Sequence, residues 1–174
     1  HIQKPMLNKV FIVRSKETNS HTLGRKLLQK GIKNILGLDT SPLEFNQNGK
    51  PYLKGYPNFH FNISHSKDAV VIAFGNSEMG VDIEKVRSVN LKVANRFFTE
   101  NERAKIKSPT DFFTVWTQKE AVIKKGGKAL KDISSIDTTL ENNLKTFFKD
   151  DLVISLCCEN VKDYKLQYIL EKDL

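Results

Sequence analysis

The 174-residue chain reads as an α+β fold with mainly antiparallel strands, and three observations predict it. Apolar residues alternate with polar ones in short segments, as where Phe59, Phe61 and Ile63 oppose His60, Asn62 and Ser64. Two longer stretches carry apolar residues at helical spacing instead. The remaining apolar runs are short and are separated by polar or charged turns.

Taken in order, Val10 to Val13 opens the chain as a strand. Thr18, Asn19 or Ser20 can cap a helix whose stripe is Leu23, Leu27, Ile32, Ile35 and Leu36, and Gly37 is its natural stop. Arg25, Lys26, Lys30 and Lys33 lie largely off that stripe and form a basic flank. Gly49-Lys50-Pro51 is a turn that carries a cation, with the proline restricting Lys50 to extended backbone. The alternating strand at 59–63 leads through Ser66 to Asp68 into the buried run AVVIAF, and GNSEMG leads into a strand where Val81 and Ile83 oppose Asp82 and Glu84. One helix runs through Phe97, a second starts near Thr99, and a longer one runs through FFTVWTQKEAVIKK to Gly126-Gly127. Strands around Lys145 to Phe148, Leu152 to Glu159 and Tyr164 to Leu170 complete the chain. The Gly75 to Gly80 link divides the chain into halves, 1–76 and 77–174.

Composition narrows the function classes. Lysine and arginine number 28 against 20 acidic residues, a formal charge of +8 and a pI near 9.4. That excess favours an anionic ligand or partner, whether nucleic acid, phosphorylated cofactor or acidic protein. The longest apolar runs fall far short of the ~20 residues of a membrane span, and no secretory signal opens the chain, so a soluble protein is expected. Cys157 and Cys158, the only cysteines, stand side by side in LVISLCC, which is neither a metal-binding nor a redox spacing. A reducing, cytoplasmic setting follows from that.

Several residues can carry chemistry. Strand alternation puts Asp82 and Glu84 on one face, about 6.5–7 Å apart along the backbone, close enough for both to reach one hard cation such as Mg²⁺. Two acidic residues on the solvent face of a strand are also commonplace. On a helical projection Phe112, Phe113, Val115, Trp116, Val122 and Ile123 fill one arc, with Thr114, Thr117, Gln118, Ala121 and Lys125 opposite. Lys119 and Glu120 fall inside the apolar arc, and Lys124 lies at its border one turn beyond Glu120. Charged groups so placed are costly unless paired, hydrated or used. A structural ion pair and a catalytic pair both satisfy that requirement. Thr99-Glu100-Asn101-Glu102 fits a capping box, and Glu102 could equally be a third metal ligand. His65, between Ser64 and Ser66, could donate to a phosphate or simply occupy a turn.

In this order, GKPYL (49–53), FNISHS (61–66), GVDIE (80–84), RFFTENE (96–102) and WTQKEAVIKKGG (116–127) resemble the Sfp-type phosphopantetheinyl transferases. The ordered set spans about residues 21 to 136 and is far more specific than any one motif. The resemblance implies a pseudo-dimer of two similar α+β halves, working as a monomer, with coenzyme A held in the cleft between them. It implies Mg²⁺, with Mn²⁺ as a substitute, on Asp82, Glu84 and Glu102. It makes Glu120 and Lys124 the catalytic pair, Glu120 being the base for a serine of an acidic acyl or peptidyl carrier protein. Lys50, Ser64, His65 and Lys119 fall at positions associated with coenzyme A, and Arg25, Lys26 and Lys30 are candidates for its nucleotide phosphate. The front of this chain is short against the family's pattern.

Two other classes compete. A magnesium nuclease could use Asp82, Glu84 and Lys85, but alternation points Lys85 away from the two carboxylates. A non-catalytic nucleic-acid-binding module would use the net charge and leave Lys119 and Glu120 unexplained. The expectation is therefore a transferase that binds neither nucleic acid nor membrane.

Overall fold

The computed structural model describes residues 7–126 and 130–174. In chain order the elements are β1 (Asn8–Arg14), α1 (Ser20–Leu36), β2 (Leu43–Phe45), β3 (Pro51–Leu53), β4 (His60–Ser66), β5 (Ala69–Gly75) and β6 (Met79–Lys85). They are followed by α2 (Ala94–Phe97), α3 (Glu100–Arg103), α4 (Pro109–Gly126), β7 (Leu144–Lys149), β8 (Leu152–Cys158) and β9 (Tyr164–Ile169). The class is α+β with mainly antiparallel pairing, as expected; β1 with β9 is the one parallel pair among the described residues.

The layers follow from side-chain alternation. A four-stranded sheet runs β4-β5-β1-β9 and a three-stranded sheet runs β6-β8-β7. Val10 and Ile12 of β1 and Val71 and Ala73 of β5 face the second sheet, where Val81, Ile83, Ile154 and Leu156 meet them. Phe11, Val13, Val70, Ile72 and Phe74 point the other way, onto Leu23, Leu27 and Ile32 of α1. Strands covered on both faces need apolar residues at every position, which is why β5 reads as an unbroken run. The aromatic side of α4, with Phe112, Phe113 and Val115, closes the far side of the second sheet together with Phe98 and Val153.

Local chemistry sets the helix ends. Asn19 is the N-cap of α1, its side chain accepting from the Thr22 amide at 2.8 Å. Gly37 closes the helix in the left-handed region at φ 72°, its amide bonding to the Lys33 carbonyl. Gly126 is the last described residue of α4, and Gly127 lies outside the described residues.

Three features go beyond the expected elements. The strand expected over 59–63, with Ser64 continuing its alternation, runs from His60 to Ser66, so it also takes in His65 and the first residue of the expected Ser66 to Asp68 link. The hairpin of β2 and β3 carries the Gly49-Lys50-Pro51 turn between strands too short for alternation to reveal. The last strand does not stay with the C-terminal half: β9 crosses back and pairs with β1, from Asn8 opposite Tyr164 to Val13 opposite Ile169. Sheet membership therefore does not follow the 1–76 and 77–174 division at that strand.

Candidate active site

The two sheets meet where β4 and β6 run side by side, and there the bridging is done by side chains. Asn62 Oδ1 accepts from the Val81 amide at 2.9 Å, Ser64 Oγ donates to Asp82 Oδ1 at 2.8 Å, and Ser66 Oγ accepts from the Lys85 amide at 3.3 Å. Lys124 of α4 reaches into the same seam, its Nζ donating to the carbonyls of Ile63 at 2.7 Å and Val81 at 2.8 Å. Lys50 comes from the hairpin turn and donates to the carbonyls of Met79 at 3.2 Å and Lys124 at 3.4 Å.

Helix α4 can sit this close because β6 has no side chain at position 80. A Cβ on Gly80 would stand 2.0 Å from the Ala121 carbonyl oxygen and 2.6 Å from the Lys125 amide nitrogen. Strand alternation then turns Asp82 and Glu84, on the same face as Gly80, toward the helix surface that carries Glu120 and Lys124. The helical projection is corrected on this point. Thr117 and Ala121, assigned to the side away from the apolar arc, are fully buried, and Thr117 Oγ1 lies 2.8 Å from Ser155 Oγ on β8. The helix is covered on two sides, so its apolar arc marks only one of its packed faces.

The electrostatics of the seam are strained. Asp82 is 9% exposed, and burial pushes its carboxyl up to about 7 against the pull of Lys124 and the Ser64 hydrogen bond. Its Oδ2 is buried and has no hydrogen-bond partner, an arrangement uncommon enough in folded proteins to call for a reason. Burial likewise raises Glu120, with Glu84 adding to the effect and Lys124 opposing it. Lys124 is lowered by burial, which Asp82 and Glu120 partly offset. Lys50 is lowered by burial as well. Glu84 is more open and accepts from Arg87 at 2.9 Å.

Not all the candidates gather here. Glu102 is completely buried, and its oxygens already accept from four protein donors: the Thr99 amide, Lys119 Nζ, and the amide and hydroxyl of Thr138. It is the carboxylate of the Thr99 capping box and has no free lone-pair direction suited to an ion. The expected set of Asp82, Glu84 and Glu102 is therefore not gathered in the seam; Glu84 and Glu120 are the two acidic groups that bear on Asp82. Among the described residues, no three His, Cys, Asp or Glu side chains already form a ready-made metal cage.

Lys119 is corrected with it. Its Nζ is fully buried, 2.6 Å from Glu102 Oε1 and bonded to the Ile136 carbonyl, so it cannot reach a phosphate in the seam. His65 lines a hollow of about 440 Å³ with Lys67, Glu84 and Arg87. Lys50 and Lys124 line a cleft of about 360 Å³ with Phe61 and Ile123. Arg25 and Lys26 are exposed on α1. Lys30 donates to the Asp173 carbonyl at 3.1 Å and lines a separate hollow with Lys26, Lys33 and Leu174. Asn62, Ser66, Gly80 and Arg87 are site residues that the sequence reading did not single out. The two-residue spacing of Asn62, Ser64 and Ser66 was the available signal.

Comparison with known proteins places the chain among relatives of one kind. The chain is similar to the 4'-phosphopantetheinyl transferase gsp of Aneurinibacillus migulanus, 36% identical over 70% of this chain and 54% of that protein. It is similar to the 4'-phosphopantetheinyl transferase Sfp of Bacillus subtilis, 38% identical over 62% of this chain and 52% of that one. The 4'-phosphopantetheinyl transferase AcpT of Salmonella typhimurium is 29% identical over 70% of this chain and 65% of its own length. The chain thus spans about half the length of the first two relatives. The profile described as 4'-phosphopantetheinyl transferase, N-terminal, matches residues 4–77, and that of the 4'-phosphopantetheinyl transferase superfamily matches residues 78–169. With a family profile covering more than half of its length, the chain belongs to the 4'-phosphopantetheinyl transferase superfamily.

Proposed function

We propose that the chain transfers the 4'-phosphopantetheine arm of coenzyme A to a serine of an apo acyl or peptidyl carrier protein in a magnesium-dependent reaction. The observation that carries this reading is the unpartnered, buried Oδ2 of Asp82, set among Glu84, Glu120 and Lys124. A buried carboxylate oxygen left without a partner is costly, and a hard cation takes oxygen ligands. The residues present therefore fit Mg²⁺, or Mn²⁺ in its place. Asp82 and Glu84 would hold it, with Glu120 facing them. Bound there, the ion supplies positive charge against the pyrophosphate of coenzyme A.

The remaining work falls to the chain itself. Glu120, whose carboxyl burial raises above its ordinary value, is suited to take the proton of the incoming serine hydroxyl. The serine oxygen bonds to the phosphorus of the pantetheine phosphate as the bond from that phosphorus to the bridging oxygen of the nucleotide half breaks. Charge then builds on the nucleotide phosphate, and Lys124 is the nearest cation on α4 to receive it. Lys124 spends two of its three donors on Ile63 and Val81, which fixes its ammonium group and leaves one donor. Lys50 adds a second cation at the cleft, and His65 lines the hollow beside Glu84.

The same reading makes the molecule a monomeric pseudo-dimer of two similar halves. Its basic surplus of +8 complements an acidic carrier and steers its approach. No helix among the described residues is long and apolar enough to cross a membrane, and cytoplasmic residence is part of the proposal. Incubation with coenzyme A, Mg²⁺ and a panel of apo carrier proteins tests it by mass spectrometry. One phosphopantetheine is the expected gain on at least one carrier, and no gain on any of them refutes the assignment.

A further inference from the structure

Three alternate residues of β4 touch the edge of β6. Asn62 and Ser66 use side-chain oxygens to accept backbone amides of that strand, and Ser64, between them, instead spends its proton on the side chain of Asp82. The outer two fix where β6 lies against β4, and they do so on either side of position 64. The middle hydroxyl is 8% exposed and its acceptor 9% exposed, so water does not compete effectively for that bond. A hydroxyl has one proton to donate. Given to Oδ1, it leaves Oδ2 as the buried oxygen of Asp82 without a hydrogen-bond partner.

We propose that Ser64 is a positioning residue for the metal carboxylate: by holding Asp82 Oδ1 it keeps Oδ2 free and pre-aimed for the divalent cation. This rests on the functional reading above, and it departs from the role in binding coenzyme A that the resemblance gives this serine. Orientation fixed in advance need not be acquired on binding, which is where a supporting hydrogen bond contributes to affinity.

The test uses Mn²⁺ alone, with the free aquo-ion followed by electron paramagnetic resonance, on the full chain and its Ser64→Ala, Ser64→Thr and Asp82→Asn variants. Thermal melts check that each variant is folded. Ser64→Ala is expected to weaken Mn²⁺ binding about tenfold, in line with a hydrogen bond to a charged group. Ser64→Thr, which keeps the hydroxyl, should stay within about threefold of the unsubstituted chain. Coenzyme A affinity in chelator, measured by calorimetry, should be the same for Ser64→Ala and the unsubstituted chain. If Ser64→Ala binds Mn²⁺ normally, the positioning role is wrong. If it instead loses coenzyme A affinity in chelator, the hydroxyl belongs to the nucleotide site and the proposal is overturned. Equal Mn²⁺ binding by Asp82→Asn and the unsubstituted chain overturns the metal reading itself, and the proposal with it.

Discussion

Replacing Lys119 by methionine separates a structural lysine from a phosphate-binding one. Lys119 and Glu102 are both 0% exposed, and their charged atoms are 2.6 Å apart. The substitution keeps the length and apolar stem of the side chain but leaves a buried carboxylate with only the Thr99 and Thr138 donors. It also strips the Ile136 carbonyl of its lysine partner. Removing one member of a buried pair costs about 3–5 kcal/mol. For a chain of this size each kcal/mol corresponds to roughly 2–4 °C in Tm, so a fall on the order of 10 °C is expected. Replacing both residues, as in Lys119→Met with Glu102→Met, should recover part of that loss. It cannot recover all of it, because the Thr99 and Thr138 amides then lose their acceptor. Melting curves, with coenzyme A titrations run well below the transition, measure both consequences. Affinity for coenzyme A should be unchanged in the folded variant. A Tm within about 2 °C of the unsubstituted chain, coupled to a large loss of coenzyme A affinity, would falsify the structural assignment.

Three further outcomes follow from the seam. Asp82 is raised from 3.8 to about 7, so the folded state holds its proton more tightly than the unfolded chain does; the resulting stability is complete below about pH 4 and is lost as pH rises through 7. Measured in chelator, Asp82→Asn should match the unsubstituted chain near pH 4 and exceed it at pH 8, by at most about 4 kcal/mol; the opposite pH trend refutes the burial argument. Glu120→Gln should bind coenzyme A nearly normally while single-turnover transfer slows by about 10²–10⁴-fold, and transfer at the normal rate removes Glu120 as the base. Gly80→Ala sets a methyl against the backbone of Ala121 and Lys125, where no flexible side chain can give way. A loss of about 1–3 kcal/mol is expected by urea titration, and an unchanged midpoint contradicts the seating of α4 on β6.

Much of the architecture was legible because the signals that define it are local. The Asn19 and Gly37 caps, the unbroken apolar run of β5, the alternation in β4 and β6 and the three C-terminal strands all lie within a few residues of the groups they satisfy. The same holds for Asp82 and Glu84 on one strand face and for Glu120 one turn before Lys124. The order of the motifs along the chain carried the family. What required the tertiary structure was which charges meet. Lys119 and Glu120 are neighbours inside one apolar arc, yet Lys119 turns to Glu102, 17 residues away in sequence, while Glu120 faces Asp82 and Glu84 across the seam. Glu102 accepts from the amide and hydroxyl of Thr138, 36 residues further on, a partner no helical spacing can indicate. The return of β9 to β1 joins residues more than 150 positions apart, and the burial of Thr117 and Ala121 follows from a second covered face on α4. Periodicity reports how one element presents itself to a single apolar surface. Where an element is covered on two sides, or a polar group is satisfied by a segment distant in sequence, long-range packing decides the partner.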